Sequence, residues 1–266
     1  MKKLFYGLVV TTLTQLFSTT AFAVTNGDLD GDAHPAVVLI LMEIDDSPAL
    51  RCSGVLIAPT FVLTAGHCAE ADRFSGIRVF TESDVQNGYN NYPFTGPNAI
   101  EAIRWAAHPD FSTAPARYND VGVIELAEPV DLPLDKYATL PVVNILDSLA
   151  HQRGLQDTSF TAVGYGYQRI NPVFIERKLV RMFSKPKLVA INVPGITADS
   201  TMLLSNNHST GGVCFGDSGG PNFIGDSLVV GGVTSFVRNG NCAGTGGVFR
   251  IDRQNVLDFI NDFILD

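Results

Sequence analysis

Gly216-Asp217-Ser218-Gly219-Gly220-Pro221 is the stretch on which the fold turns. A serine flanked so closely by glycines sits on a tight turn with its hydroxyl exposed. Glycine has no Cβ, so a reactant can approach and backbone N–H groups can face it. The stretch contains Gly-x-Ser-x-Gly, a pattern of hydrolase nucleophiles. A serine hydroxyl is a weak nucleophile near neutral pH, so the pattern needs a base and a group to orient that base.

The chain has five histidines, and His67 is the best placed of them. It follows the strand-like Leu63-Thr64-Ala65-Gly66 and precedes Cys68, which could staple it. His34 and His108 lie beside prolines, and His151 and His208 lie in polar stretches, so those four read as surface or loop residues. Asp120 opens the apolar run Val121-Gly122-Val123-Ile124, where its carboxylate could be partly buried and fixed.

The surrounding pattern is β-rich. Short runs of Val, Ile, Phe and Thr recur between turn residues. In the first half they are 36–43, 52–57, 61–64, 77–81, 100–107 and 121–126. In the second half they are 159–164, 178–183, 201–205, 221–223, 228–235 and 248–251. Many short strands without intervening helices point to barrels or sandwiches. The Pro-punctuated stretch 129–141 reads as a connection between halves. Val256, Leu257, Ile260, Phe263 and Ile264 share one helical face at the end, with Asp252 as the expected N-cap.

The chain opens Met1-Lys2-Lys3, continues apolar to Phe17 and closes with Ala21-Phe22-Ala23. That is the form of a secretory signal, here of bacterial Sec type. Cleavage after Ala23 leaves 243 of the 266 residues, enough for one large or two small domains with a real core. Removing the two signal lysines takes the formal net charge from −9 to −11. So acidic a product is a poor partner for nucleic acid or anionic membrane. Four cysteines in an exported chain read as two disulfides, with three pairings open. No Cys-x-x-Cys or His-x-x-x-His supports zinc.

Order separates the hydrolase architectures. No histidine follows Ser218, which removes the Ser, acid, His order of α/β-hydrolases. Aspartates precede His67, but Ser218 lacks the Gly-Thr-Ser setting of subtilisin-like enzymes. His67, Asp120, Ser218 is the chymotrypsin order. With Leu63–Cys68, Asn119–Leu126, Gly216–Pro221, Val233–Ser235 and Gly247–Phe249 in sequence, the chain resembles the trypsin/chymotrypsin family of serine endopeptidases.

The resemblance implies an all-β fold of two six-stranded antiparallel barrels and a C-terminal helix. The expected parts are a signal at 1–23, a first barrel at 24–133, a second at 134–252 and a helix at 253–266. It implies Ser218 as nucleophile, His67 as base, Asp120 as its orienting acid, and Gly216 and Ser218 N–H groups as the oxyanion hole. Ser235 would support Asp120. It also chooses the disulfides, Cys52 with Cys68 and Cys214 with Cys242. A new N-terminal amine on Val24 would pair with Asp217, making signal peptidase the activator. The expected substrate pocket comprises Gly212, Val213, Ser235, Phe236 and Val237. Gly212 stands where trypsin-like enzymes have a pocket-floor Asp, so cleavage after small or medium apolar residues is expected instead of after Arg or Lys.

The expected partners are polypeptide substrates and protein inhibitors, with no nucleic acid, no membrane insertion after signal cleavage, and a monomeric state. No cofactor and no metal are expected; Glu82 and Asp84 lie where some members of the family bind calcium, and read equally as part of a solvated loop. The expected location is secreted or periplasmic. A catalytically silent binding relative would typically lack a triad residue, whereas an esterase would use the same chemistry.

Overall fold

Val37 to Met42 is apolar at every position and buried throughout, as a strand covered on both faces must be. The structure, a computed structural model, describes residues 25–113, 118–151, 157–171, 173–193 and 200–266. The expected signal and Val24 lie outside the described residues.

The strands of the first half are β1 (Asp28–Leu29), β2 (Val37–Ile44), β3 (Ser47–Ala58), β4 (Phe61–Thr64), β5 (Gly76–Phe80), β6 (Ala99–Ala107) and β7 (Gly122–Leu126). Six of them close into a barrel in the order β2-β3-β4-β7-β6-β5, each pair antiparallel. A two-residue turn, Asp45-Asp46 at φ 51° and 58°, joins β2 to β3. Two successive positive φ values match the twist of the flanking strands.

The second half contains β8 (Phe160–Gly164), β9 (Arg169–Asn171), β10 (Phe174–Glu176), β11 (Met182–Ser184), β12 (Leu188–Ile191), β13 (Thr201–Asn206), β14 (Pro221–Ile224), β15 (Val230–Val237) and β16 (Gly244–Arg250). β9 and β10 form a separate hairpin, and the rest join β1 in one eight-stranded sheet, β1-β11-β8-β14-β15-β16-β13-β12. The expected second barrel is therefore a curled sheet. Its six strands from β8 to β12 return to their start through a single bridge, Ser159 with Lys187. Two backbone bonds flank that bridge, Phe160 N to Pro186 O at 2.8 Å and Leu188 N to Thr158 O at 2.8 Å. β11 and β1 extend the sheet on the other side of β8.

The stretch 129–141 crosses between the halves: Ala138 N donates to Leu56 O and Thr139 N to Leu228 O. Helix α1 (Gln254–Leu265) ends the chain and buries Val256, Leu257, Ile260 and Phe263. Burying one such side chain contributes about 2 kcal/mol as an upper figure. The helix packs on the first barrel: Phe263 meets Phe61 edge-on at 6.4 Å, and Arg104 Nη2 donates to Phe263 O at 2.7 Å. The last segment thereby ties the second half back to the first.

The cap of α1 differs from expectation. Arg253 occupies the N-cap and makes no side-chain cap bond. Asp252 is fully buried instead; it accepts from Arg250 Nε at 2.9 Å and Nη2 at 2.8 Å, and from Leu146 N at 2.9 Å. A buried guanidinium needs a carboxylate more than a helix end needs this cap, because an unpaired buried charge costs several kcal/mol. Among the described residues no helix is long and apolar enough to cross a membrane.

Candidate active site

His67 sits in a short 3-10 turn, 66–68, just after β4. Asp120 precedes β7, which pairs with β4, so neighbouring strand ends of one barrel deliver both side chains. Asp120 is fully buried. Each of its oxygens lies 3.0 Å from His67 Nδ1, and His67 N donates to Oδ1 at 3.0 Å. Ser235, from β15 of the other half, donates its hydroxyl to Oδ2. Burial alone would push the Asp120 carboxyl up; the His67 and Ser235 hydrogen bonds and the His67 charge outweigh it and hold the group below its usual range. A fixed carboxylate on Nδ1 commits that nitrogen to carrying the proton and leaves Nε2 as the base.

Ser218 shares one cavity of about 790 Å³ with His67 and Gly216. Its turn is fastened from every side. Gly219 N donates to Thr234 O at 2.7 Å, Gly220 N to Asp217 O at 2.8 Å, and Asp217 N to Cys214 O at 3.1 Å. Gly216 has φ +95° and Gly219 φ +79°, and a Cβ on Gly219 would lie 2.0 Å from Thr64 Oγ1. Only glycine fits both the backbone and the space there. The disulfides Cys52–Cys68 and Cys214–Cys242 pair as the resemblance implied, one bracing His67 and the other the approach to Ser218.

Sequence reading missed the residue that joins the two halves at this turn. Ser53 N donates to Ser218 O at 2.8 Å, and Ser53 Oγ donates to Gly216 O at 2.9 Å. The same hydroxyl accepts from Tyr165 N at 3.0 Å, and Thr64 Oγ1 holds the Ser53 carbonyl at 2.9 Å. The only signal for it is its place after Cys52.

Asp217 is buried, with Oδ1 accepting from Gly166 N at 2.7 Å and Oδ2 from Cys214 N at 2.8 Å. Desolvation dominates and pushes its pKa up to about 7, against those two bonds and the charge of Arg51. Its expected partner, the Val24 amine, lies outside the described residues.

The expected pocket residues come together with a neighbour not foreseen. A Cβ on Gly212 would fall 2.3 Å from Asn206 Cγ, so the Asn206 side chain fills the space an Asp there would need. Asn206 Nδ2 donates to Val213 O at 2.7 Å. Val213 Cγ2 lies 2.4 Å from where a Cβ on Gly246 would stand, and Phe236 Cζ lies 2.2 Å from where one on Gly247 would. Phe236 pairs across the sheet with Gly247 and Val237 with Gly246.

Two histidines read as loop residues are built in. His34 Nδ1 pairs with buried Asp30, which also accepts from buried Arg181 Nε at 2.9 Å, and its ring stacks on Phe223 at 5.5 Å. His108 is buried against Phe259 of α1, and desolvation pushes its pKa down. His208 is exposed, and the side chain of His151 lies outside the described residues.

Comparison with known proteins agrees with this geometry. The family described as Trypsin matches residues 30–260. A curated trypsin of Simulium vittatum is 26% identical over 239 residues, covering 85% of this chain and 90% of that protein. Vitamin K-dependent protein C of Mus musculus is 27% identical over 207 residues, covering 74% of this chain. The chain spans only 42% of that protein's length. Among solved structures, HL collagenase superposes with TM-score 0.71 at 22% identity, covering 91% of this chain and 99% of that one. An inactivated protease paralogue of the scabies mite superposes at 0.68 with 20% identity, covering 91% and 97%. The fold thus occurs with and without activity, and the triad must be judged on its own residues. With the family matched along most of its length and His67, Asp120 and Ser235 bonded together beside Ser218, the chain belongs to the trypsin family of serine proteases.

Proposed function

We propose that the chain is an exported endopeptidase that cleaves peptide bonds through an acyl-enzyme on Ser218. The observation that carries the reading is the buried Asp120 carboxylate with both oxygens on His67 Nδ1. It leaves Nε2 to take the Ser218 proton as Oγ attacks the scissile carbonyl, and to return it to the leaving amine. Water then repeats the sequence and frees the acid. The N–H groups of Gly216 and Ser218 serve the oxyanion; turning the Gly216 carbonyl to Ser53 Oγ holds that turn in one conformation. Losing one such donor typically costs about 3 kcal/mol of transition-state stabilisation.

The experiment is labelling with a fluorophosphonate, located by peptide mapping, beside digestion of a peptide library. Modification at Ser218 together with cleavage supports the reading. Folded protein that takes no label is a binding relative, and label with ester but no peptide cleavage makes it an esterase.

Cleavage after small or medium apolar residues is supported by the crowding around Gly212, Gly246 and Gly247. A deep pocket for a long cation has no room beside Asn206 and Phe236, and Gly212 supplies no anion. Gly212→Asp alone should therefore not make the enzyme tryptic. The new Cβ collides with Asn206, an overpacking cost of about 1–3 kcal/mol, and the melting temperature should drop accordingly. Efficient cleavage after Lys by that single variant would overturn this pocket reading. Two disulfides suit export to an oxidising compartment, extracellular or periplasmic, as a monomer open to protein inhibitors of the cleft.

A further inference from the structure

The cavity beside Ser218 does not run toward Gly212. From Ser218 and His67 it runs past the Cys52 disulfide, along Leu50 and Arg51 of β3, to Tyr167 and Arg177. None of the residues expected to receive the side chain before the cut, Gly212, Val213, Ser235, Phe236 and Val237, lines this cavity. A polypeptide crossing the nucleophile must therefore send its other end, the part released first, along this cavity.

The cavity is electrostatically unlike the chain around it. The formal net charge is −9, yet among the described residues three arginines, Arg51, Arg73 and Arg177, line the cavity against one acid, Glu70. Glu70 is already paired with Arg73, at 3.0 Å. Arg51 lies nearest the chemistry: its Nε is 3.4 Å from where a Cβ on Gly216 would stand. Its guanidinium rests 5.0 Å over the Tyr167 ring, which meets the Phe215 ring edge-on at 6.2 Å. Tyr92 lines the same cavity. Among the described residues Arg51 Nη2 is buried and has no hydrogen-bond partner. A cation stacked on a ring and held in no ion pair among the described residues is positioned without being neutralised. The low-dielectric walls of a cleft focus its field on whatever enters.

We propose that Arg51 is a specificity-determining residue on the leaving-group side, selecting peptides with an acidic residue at the first or second position after the cut. The inference rests on the endopeptidase reading above. Arg51 attracts the substrate carboxylate through its charge at the cavity wall, with Arg177 adding to the same field. Substrates then carry two separate marks, a small apolar side chain before the bond and an anion after it.

The test uses internally quenched peptides that differ only in Asp or Asn at those two positions, a pair equal in size and unlike in charge. Unaltered enzyme at low salt should favour Asp by about fivefold in kcat/KM at one of the positions, the scale of a partly shielded charge contact. The ratio should shrink as salt is raised. It should fall to about one in Arg51→Gln, return in Arg51→Lys and invert toward Lys-containing peptides in Arg51→Glu. Each comparison is a ratio within one enzyme, so a general loss of activity does not disturb it. If Arg51→Gln does not fold, the unaltered enzyme's ratio, its salt dependence and the Arg51→Lys variant still decide. No preference for Asp in the unaltered enzyme, or a preference unchanged in Arg51→Gln, overturns the proposal. Fluorophosphonate labelling of Ser218 is scored in the same samples. Labelled enzyme with a flat ratio refutes only the role of Arg51, whereas folded enzyme without label refutes the underlying reading.

Discussion

Replacing Ser218 or His67 by Ala should each lower kcat by roughly 10⁶, and replacing both should cost no more than either alone. The two act as one unit: without the base the hydroxyl stays protonated, and without the hydroxyl the base has nothing to activate. Asp120→Asn should cost about 10⁴, a magnitude carried over from the triad of this family. The amide keeps the volume, but its NH2 faces His67 Nδ1, so the proton moves to Nε2 and the base is lost. Single-turnover kinetics on a peptide substrate would check all three. Multiplicative losses in the double variant would mean that His67 and Ser218 work separately, and the triad assignment would fall.

The second large effect concerns Asp217. Its folded pKa of about 7 lies above the ordinary 3.8, so the unfolded chain gives up this proton first as pH rises. Protein in which the carboxyl lacks an amine partner should therefore lose stability from about pH 4 to pH 7, by about 4 kcal/mol in all, and lose no more above that. Protein beginning at Val24, with its amine inserted, should keep the carboxylate charged and paired and show no such fall. Denaturant titrations across that pH range would compare the Val24 form with one extended by a few residues. Asp217→Asn should flatten the curve of the extended form. Identical curves for the two N-termini would sink the ion pair. N-terminal sequencing of exported protein carries a second risk for the idea, since an active species starting far from Val24 would remove it.

Reading the chain as sequence went furthest where one residue type has one physical meaning. The run 61–64 is a strand with those bounds because Phe, Val, Leu and Thr sit between a proline-led turn and a glycine. His67 and Asp120 could be brought together from sequence because their motifs carry chemistry that few other arrangements need. What escaped were contacts made across long sequence separations. Leu188–Ile191 is a four-residue strand at a sheet end, too short for a period. β16 begins at Gly244, four residues before the expected start at Val248, because glycine argues against a strand on propensity alone. In the fold those glycines are required, since Val213 and Phe236 lie where side chains would be. Asp252 looked like a cap because its buried partner, Arg250, is two residues away and reads as surface. Ser53, Asn206 and Arg51 carry no motif, and only the assembled barrel and sheet give them neighbours.

Ser53 and Gly216 are separated by 163 residues, yet one hydrogen bond between them holds the nucleophile's turn. Neither side of that bond is local to the other, so the turn takes its shape only when both halves have come together. Competence for hydrolysis is a property of the assembled pair, and a chain truncated before Gly216 holds half a site and no ability to cut.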